Sequence, residues 1–266
     1  DLVEMGYLDI VFLGTGTSQG VPVIGCDCEV CLSNDSKDKR LRSSILITSD
    51  KGTQITIDAG PDFRTQMLNE RVKYLDAILV THAHRDHVSG LDDVRSYNYL
   101  QQSPMPIFAN QYAIESIKKE FSYAFAQVKY PGLPEFDLQE IDVEKPTTIK
   151  IKELDIIPIE VMHFKLPILA YRIGDFAYIT DAKTISEKEK QKLKGVKHLV
   201  VNALRKEEHF SHFSLSEALN LIAELQPEKA YLTHISHFLG KDKEISKELP
   251  ENVQLAYDGL KIRIEK

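Results

Sequence analysis

An apolar run, Ala77-Ile78-Leu79-Val80, leads straight into Thr81-His82-Ala83-His84-Arg85-Asp86-His87, and no other stretch constrains the fold as tightly. The run reads as a buried strand, which places the histidines where a strand gives way to a loop. Three imidazoles and a carboxylate fall within six residues of a chain holding nine His in all. Imidazole nitrogen beside carboxylate oxygen suits zinc, manganese or iron, and one pair of side chains can hold one ion and the other pair a second.

Two ions need more donors than this cluster offers, and later strands end in them. His163 follows Ile157 to Met162, Asp181 follows Tyr178-Ile179-Thr180, and His234 follows Tyr231-Leu232-Thr233. Each would emerge at the same edge of a sheet sandwich. Alone, each is an ordinary loop residue; together with the first cluster they form a set.

All three cysteines lie in Cys26-Asp27-Cys28-Glu29-Val30-Cys31. That spacing is too tight and the number too odd for a disulfide framework. Three thiolates leave a tetrahedral zinc one ligand short, so a fourth comes from elsewhere. Three unrelated thiols, and a redox role, are the other readings.

The order of elements is strands first, then strands alternating with helices. Leu8 to Leu13 reads as a strand ending in Gly14-Thr15-Gly16-Thr17. Ser43 to Thr48 and Gln54 to Ile57 alternate apolar and polar around an Asp50-Lys51-Gly52 turn. The aromatic segment 95–134, with a helix near Gln111 to Phe125, is either a lid over the metals or a layer packed on the sheet. Strands follow at Leu154 to Met162, Ala170 to Ile173, Ala177 to Ile179, Lys197 to Ala203 and Ala230 to Leu232, with the last between Val253 and Ile264. Ser214 opens a helix with Glu217 three residues on, a capping box, and Pro227 ends it. The expected class is α/β: two mixed sheets face to face, helices outside, in a single domain over 1–266.

A net charge of −7 and a pI near 5.8 argue against a protein that grips long nucleic acid. A small anionic substrate remains compatible, because bound divalent ions reverse the local field. No stretch is long and apolar enough to span a bilayer, and no basic-then-apolar leader opens the chain. Asp1 to Glu4 read as a remnant before Met5, and the expected location is cytoplasmic. A homodimer is left open.

The pattern His-x-His-x-Asp-His followed by a distant His, Asp and His resembles the metallo-β-lactamase fold superfamily. That resemblance implies an αββα sandwich in which His82, His84 and His163 hold one metal. Asp86, His87 and His234 would hold the other, with Asp181 bridging both and Asp58 supporting from behind. Gly14-Thr15-Gly16-Thr17-Ser18-Gln19-Gly20-Val21-Pro22, the Cys segment at 25–32, Leu232-Thr233-His234-Ile235-Ser236-His237 and Tyr257-Asp258-Gly259 narrow it. They resemble the phosphoribosyl 1,2-cyclic phosphate phosphodiesterase family of the carbon–phosphorus lyase pathway. By that resemblance Cys26, Cys28, Cys31 and His237 hold a structural zinc, and His212, rather than His209, is the catalytic histidine.

The activity so implied is hydrolysis of a small, cyclic sugar phosphodiester by a hydroxide bridging two manganese, zinc or iron ions. Asp86, Asp181 and His212 carry the chemistry. Ribonuclease Z-type RNA processing, a thioester hydrolase of the glyoxalase II type, a β-lactamase and a metal-stabilised binding protein are the alternatives. Lys165, Lys183 and Arg205 are either phosphate contacts or ordinary surface charge.

Overall fold

The computed structural model describes residues 6–128, 130–145 and 148–265. The opening Asp1 to Glu4 lies outside them. In chain order the strands are β1 (Tyr7–Gly14), β2 (Ser44–Ser49), β3 (Gln54–Ile57), β4 (Ala77–Leu79), β5 (Met105–Ala109), β6 (Phe136–Glu140) and β7 (Ile149–Ile151). They continue as β8 (Leu154–His163), β9 (Leu166–Ile173), β10 (Phe176–Tyr178), β11 (His198–Asn202), β12 (Lys229–Thr233), β13 (Val253–Leu255) and β14 (Lys261–Glu265). Two seven-stranded sheets result, ordered β14-β1-β2-β3-β4-β5-β6 and β13-β12-β11-β10-β9-β8-β7. Each is mixed: β3 to β6 pair in parallel in the first, β10 to β13 in the second, and the other pairs are antiparallel.

Alternation along the strands builds three apolar layers, since successive side chains point to opposite faces. Leu8, Ile10 and Phe12 of β1 and Ile45 and Ile47 of β2 face Tyr171, Phe176, Tyr178, Val200 and Tyr231 of the second sheet. Leu13 and Leu46 point the other way, onto α1 (Phe63–Asn69), α3 (Arg95–Gln101) and α4 (Gln111–Glu120). Leu199 and Val201 meet α6 (Leu215–Leu225), whose Leu215, Ala218, Leu221 and Ile222 are buried. Ser214 caps α6 with the capping box its sequence predicts. The fold is therefore the αββα sandwich expected.

β5, β6 and β7 escape the strand pattern. Pro104 and Pro106 bracket Met105 and weaken the signal for β5. β6 is an edge strand with three of its five residues exposed, so no apolar run marks it. The helix expected near Gln111 to Phe125 is α4 followed by a 3₁₀ turn at Ser122–Phe125. Within 95–134, Tyr97 and Phe121 are buried in the helix layer, while Tyr99, Tyr112 and Tyr130 stand exposed.

A tight contact seats the first histidine cluster. A Cβ on Gly60 would lie 2.0 Å from the carbonyl of Asp86, at the start of the short helix α2 (Arg85–Val88). Ala59 N–H donates to His87 O, and Gly90 N–H to Ala59 O, so the two segments cannot separate cheaply. Gly60→Ala is expected to lose about 1–3 kcal/mol or more through overpacking. Urea unfolding of the purified variant measures it, and a midpoint equal to wild type would refute the contact.

Candidate metal centre

The parallel strands of both sheets end on one rim, where ligands gather in open α/β sheets. β3 ends at Asp58, β4 at Thr81-His82, β8 in His163, β10 at Thr180-Asp181 and β12 at His234. The two sheets are also tied there. Leu169 N–H donates to Thr81 O at 2.9 Å, and the Tyr171 hydroxyl donates to Val80 O at 2.6 Å. Asp58, Asp181 and His234 take left-handed φ of 67°, 56° and 54°. Residues other than glycine seldom do so, and such strain collects at functional sites.

The donor atoms form two neighbouring groups, His82, His84 and His163, and Asp86, His87, Asp181 and His234, each within 4.8 Å. Asp181 looks both ways. Its Oδ1 is 3.2 Å from His87 Nε2, and its Oδ2 is 3.3 Å from His234 Nε2 and 3.6 Å from His82 Nε2. Asp86 Oδ2 lies 3.0 Å from His87 Nε2.

A layer of acceptors behind the rings decides which nitrogen each presents, as metal-bound histidines require. His87 Nδ1 meets Asp58 Oδ2 at 2.6 Å. The Thr81 hydroxyl donates to the same carboxylate oxygen, Asp58 Oδ2, at 2.7 Å, and so accepts from His82 Nδ1 at 3.0 Å. His163 Nδ1 donates to Ser211 O at 2.9 Å. Ser43 Oγ donates to Gly16 O and is left to accept from His234 Nδ1 at 3.1 Å. All four rings thereby turn Nε2 inward. Thr81, Ser43 and Ser211 were not legible as part of the site, because a hydroxyl or a carbonyl near a ligand has no sequence signature.

Electrostatics favour a bound cation. Burial drives His82, His84 and His234 below the ordinary imidazole range, so these rings are neutral. His82 Nε2 and His84 Nδ1 face each other at 3.1 Å, so the two rings meet either around a shared cation or through one ring N–H. Against burial, His87 is held well above its usual pKa by Asp86, Asp181 and Asp58. Its Nε2 is buried without an aligned hydrogen bond. Burial opposes the ionised form of Asp181, but His234, His87 and His82 keep it well below the carboxylate range. His87 likewise keeps Asp86 low against burial. Ionised carboxylates beside the neutral rings of His82, His84 and His234 are the protonation states that metal ligands need. At His87 the surrounding carboxylates favour positive charge that a divalent ion would supply in place of the proton, and the residues fit divalent ions.

The second cluster joins the β1–β2 loop to the segment after β12. Sγ of Cys26, Cys28 and Cys31 each lie 3.4 Å from His237 Nδ1. Around a tetrahedral zinc, Zn–S and Zn–N bonds put sulfur and nitrogen about 3.5 Å apart, so these four also fit. The Cys31 backbone N–H draws the Cys28 thiol down to about 6, while burial pushes Cys31 up to about 11.

His212 is stacked on His234, ring centroids 5.1 Å apart, and lies 4.7 Å from His163. Its donor atom falls with those of His163 and Asp181, and burial pushes its pKa down to about 3. His209 sits farther out, accepting from Ser211 N–H. Lys183 is committed to Glu217 at 3.0 Å, and Arg205 donates to the carbonyls of Glu207 and Glu208. Lys165 instead lines a cavity of about 500 Å³ at the mouth of the centre, with His84, His163, Phe164, Phe210 and Ser211.

The sheet sandwich thus ends in a histidine- and aspartate-lined rim whose donors fit divalent ions. The chain belongs to the Beta-lactamase superfamily, whose domain profile matches residues 53–235. Among solved structures it is similar to a diphosphatase of the PhnP family, at 37% identity and a TM-score of 0.91, covering 98% of this chain and 99% of that one. The zinc-bound PqqB of Methylobacterium extorquens shares the fold at 17% identity and a TM-score of 0.74, covering 96% and 99%. Human tRNase Z short form shares it at 16% and 0.68, covering 96% and 98%. Among curated proteins, an octanoyltransferase of Porphyromonas gingivalis is 40% identical over 256 residues, 96% of this chain and 51% of that protein. The coenzyme PQQ synthesis protein B of Methylobacterium nodulans is 26% identical over 123 residues, 41% of this chain and 40% of that one. The chain thus spans about half or less of the length of these curated relatives. Among the described residues no helix is long and apolar enough to cross a membrane.

Proposed function

We propose that this protein is a binuclear metal-dependent phosphodiesterase acting on a small anionic phosphodiester, such as a cyclic sugar phosphate. The observation that carries this reading is Asp181, whose Oδ2 lies between His234 of one donor group and His82 of the other while its Oδ1 faces His87, beside a histidine belonging to neither three-ligand set. His82, His84 and His163 would hold one ion and Asp86, His87 and His234 the other, with Asp181 available to both. Manganese, zinc and iron all accept these donors. Divalent ions bound there supply Lewis-acid charge for phosphoryl oxygens and lower the pKa of water.

The side chains do the rest. Asp58 holds His87 directly and His82 through Thr81, so one carboxylate fixes a ring in each ligand set. His212 offers a ring N–H to the phosphoryl or the departing oxygen. In the net reaction water adds its oxygen to phosphorus, one P–O ester bond breaks, and the freed oxygen takes one of the water's protons. Cys26, Cys28, Cys31 and His237 hold a structural zinc, and three thiols without a disulfide suit the reducing cytoplasm. The PhnP-family diphosphatase supports phosphoryl rather than acyl chemistry.

Turnover of manganese- or zinc-loaded protein on bis(p-nitrophenyl) phosphate, a ribose cyclic phosphate, a pre-tRNA and octanoyl and glutathione thioesters tests this. His212→Ala is expected to lose about 10²–10⁴-fold on the diesters with its metals retained. Silence on the diesters beside cleavage of RNA or a thioester would overturn the proposal.

A further inference from the structure

The turn between β8 and β9 is two residues long, Phe164-Lys165, since His163 pairs with Leu166. Tight hairpin turns of this kind call for glycine or asparagine wherever φ is positive. Here φ is 55° at a phenylalanine, an expensive choice for a bulky side chain. Burial does not explain it, because Phe164 is 53% exposed. Its ring meets that of Phe210 edge to face, centroids 5.5 Å apart. Phe210 is 66% exposed, and His209 stacks on it at 4.6 Å. The two rings come from different loops, one directly after the donor His163 and the other two residues before His212. They line the same cavity as His84 and His163. Lys165 stands there too, its Nζ 5.4 Å from the Phe164 ring, with no carboxylate ion pair among the described residues.

We propose that Phe164 and Phe210 form a subsite for the base of a nucleotide, with Lys165 at its rim facing the phosphate. This rests on the phosphodiesterase reading and narrows its substrate to one carrying an aromatic base. Two exposed rings offer a sequence-tolerant stacking surface, and base stacking on an aromatic side chain is sensitive to its removal. A cation beside them complements the phosphate of the same ligand. A ribose phosphate without a base would leave both rings in water.

The test is binding, so it stands apart from turnover. Calorimetry on metal-loaded protein should find adenosine 5′-monophosphate bound about 10-fold more tightly than ribose 5-phosphate. Phe164→Gly with Phe210→Ala should erase that difference by weakening the nucleotide alone. Phe164→Tyr with Phe210→Tyr should keep it. Phe164→Gly suits the left-handed backbone, so its Tm should equal or exceed that of wild type, which separates lost stacking from lost folding. Equal affinities in the wild type, or a preference that survives the Gly/Ala double variant, would overturn the subsite. Failure on bis(p-nitrophenyl) phosphate, with the nucleotide preference intact, would instead remove the phosphodiesterase reading.

Discussion

Asp181→Asn is expected to lower diester turnover by about 10⁴-fold, roughly 5 kcal/mol at 1.36 kcal/mol per decade, and to release most of the bound metal. Asparagine keeps the size and tolerates the left-handed φ of 56°, so the change isolates the charge. With it go the one carboxylate facing both donor groups and the position of both ions, whose charge stabilisation is worth several kcal/mol. Stability should fall in both states, and by more with metal bound. Without metal, and against burial, His234, His87 and His82 hold the Asp181 carboxyl well below its usual range, so its ionised form contributes stability at neutral pH that asparagine removes. With metal, ligand binding stabilises the wild type by mass action, and the variant loses that gain. The Tm difference between metal-loaded and chelator-treated protein should therefore be large in wild type and near zero in Asp181→Asn. Metal analysis and paired melts check both halves. Wild-type metal content and turnover in the variant would exclude the bridging role.

Much of this arrangement was legible before any coordinates, and for a physical reason. A metal ligand at the end of a buried strand leaves two marks in the chain, an apolar run and a histidine or aspartate directly after it. β4, β8, β10 and β12 each carry both marks. The capping box of α6 is likewise local, a hydroxyl and a carboxylate three residues apart. What stayed hidden was non-local or chemically bland. Ser43 reaches His234 across 191 positions, and Tyr171 reaches the carbonyl of Val80 across 91. β5 and β6 are held by parallel neighbours rather than by their own pattern. The rings at the mouth of the centre come from Phe164 and Phe210. The first hides in a turn whose residues give no sign of a positive φ, and the second in a charged stretch.

Cys31→Ser is expected to abolish zinc binding by the cysteine cluster and, through it, to loosen the histidine and aspartate centre nearby. Cys31 is buried and its Sγ lies 3.4 Å from His237 Nδ1. Serine is a poor zinc ligand, and a three-donor remnant binds far more weakly than the full set. His237 follows His234 by three residues. The loop that holds the cysteines also supplies Thr17, 3.2 Å from His234 Nε2, and Ser43, 3.1 Å from its Nδ1. Backbone bonds from Thr17 N–H to Ile235 O and from Ile235 N–H to Thr15 O stitch the same two segments. Those bonds are what remains once the zinc is gone, so the segments should loosen rather than part. The expected loss is about 2–4 kcal/mol, a Tm fall of roughly 4–16 °C for a chain of this size. Misplacing one ligand should cost about 10–100-fold in metal affinity or activity at the other site. Zinc per chain, thiol titration and turnover on one preparation decide it. A variant that lost its zinc yet kept full turnover and melting temperature would show that the cysteine cluster serves neither the fold nor the site.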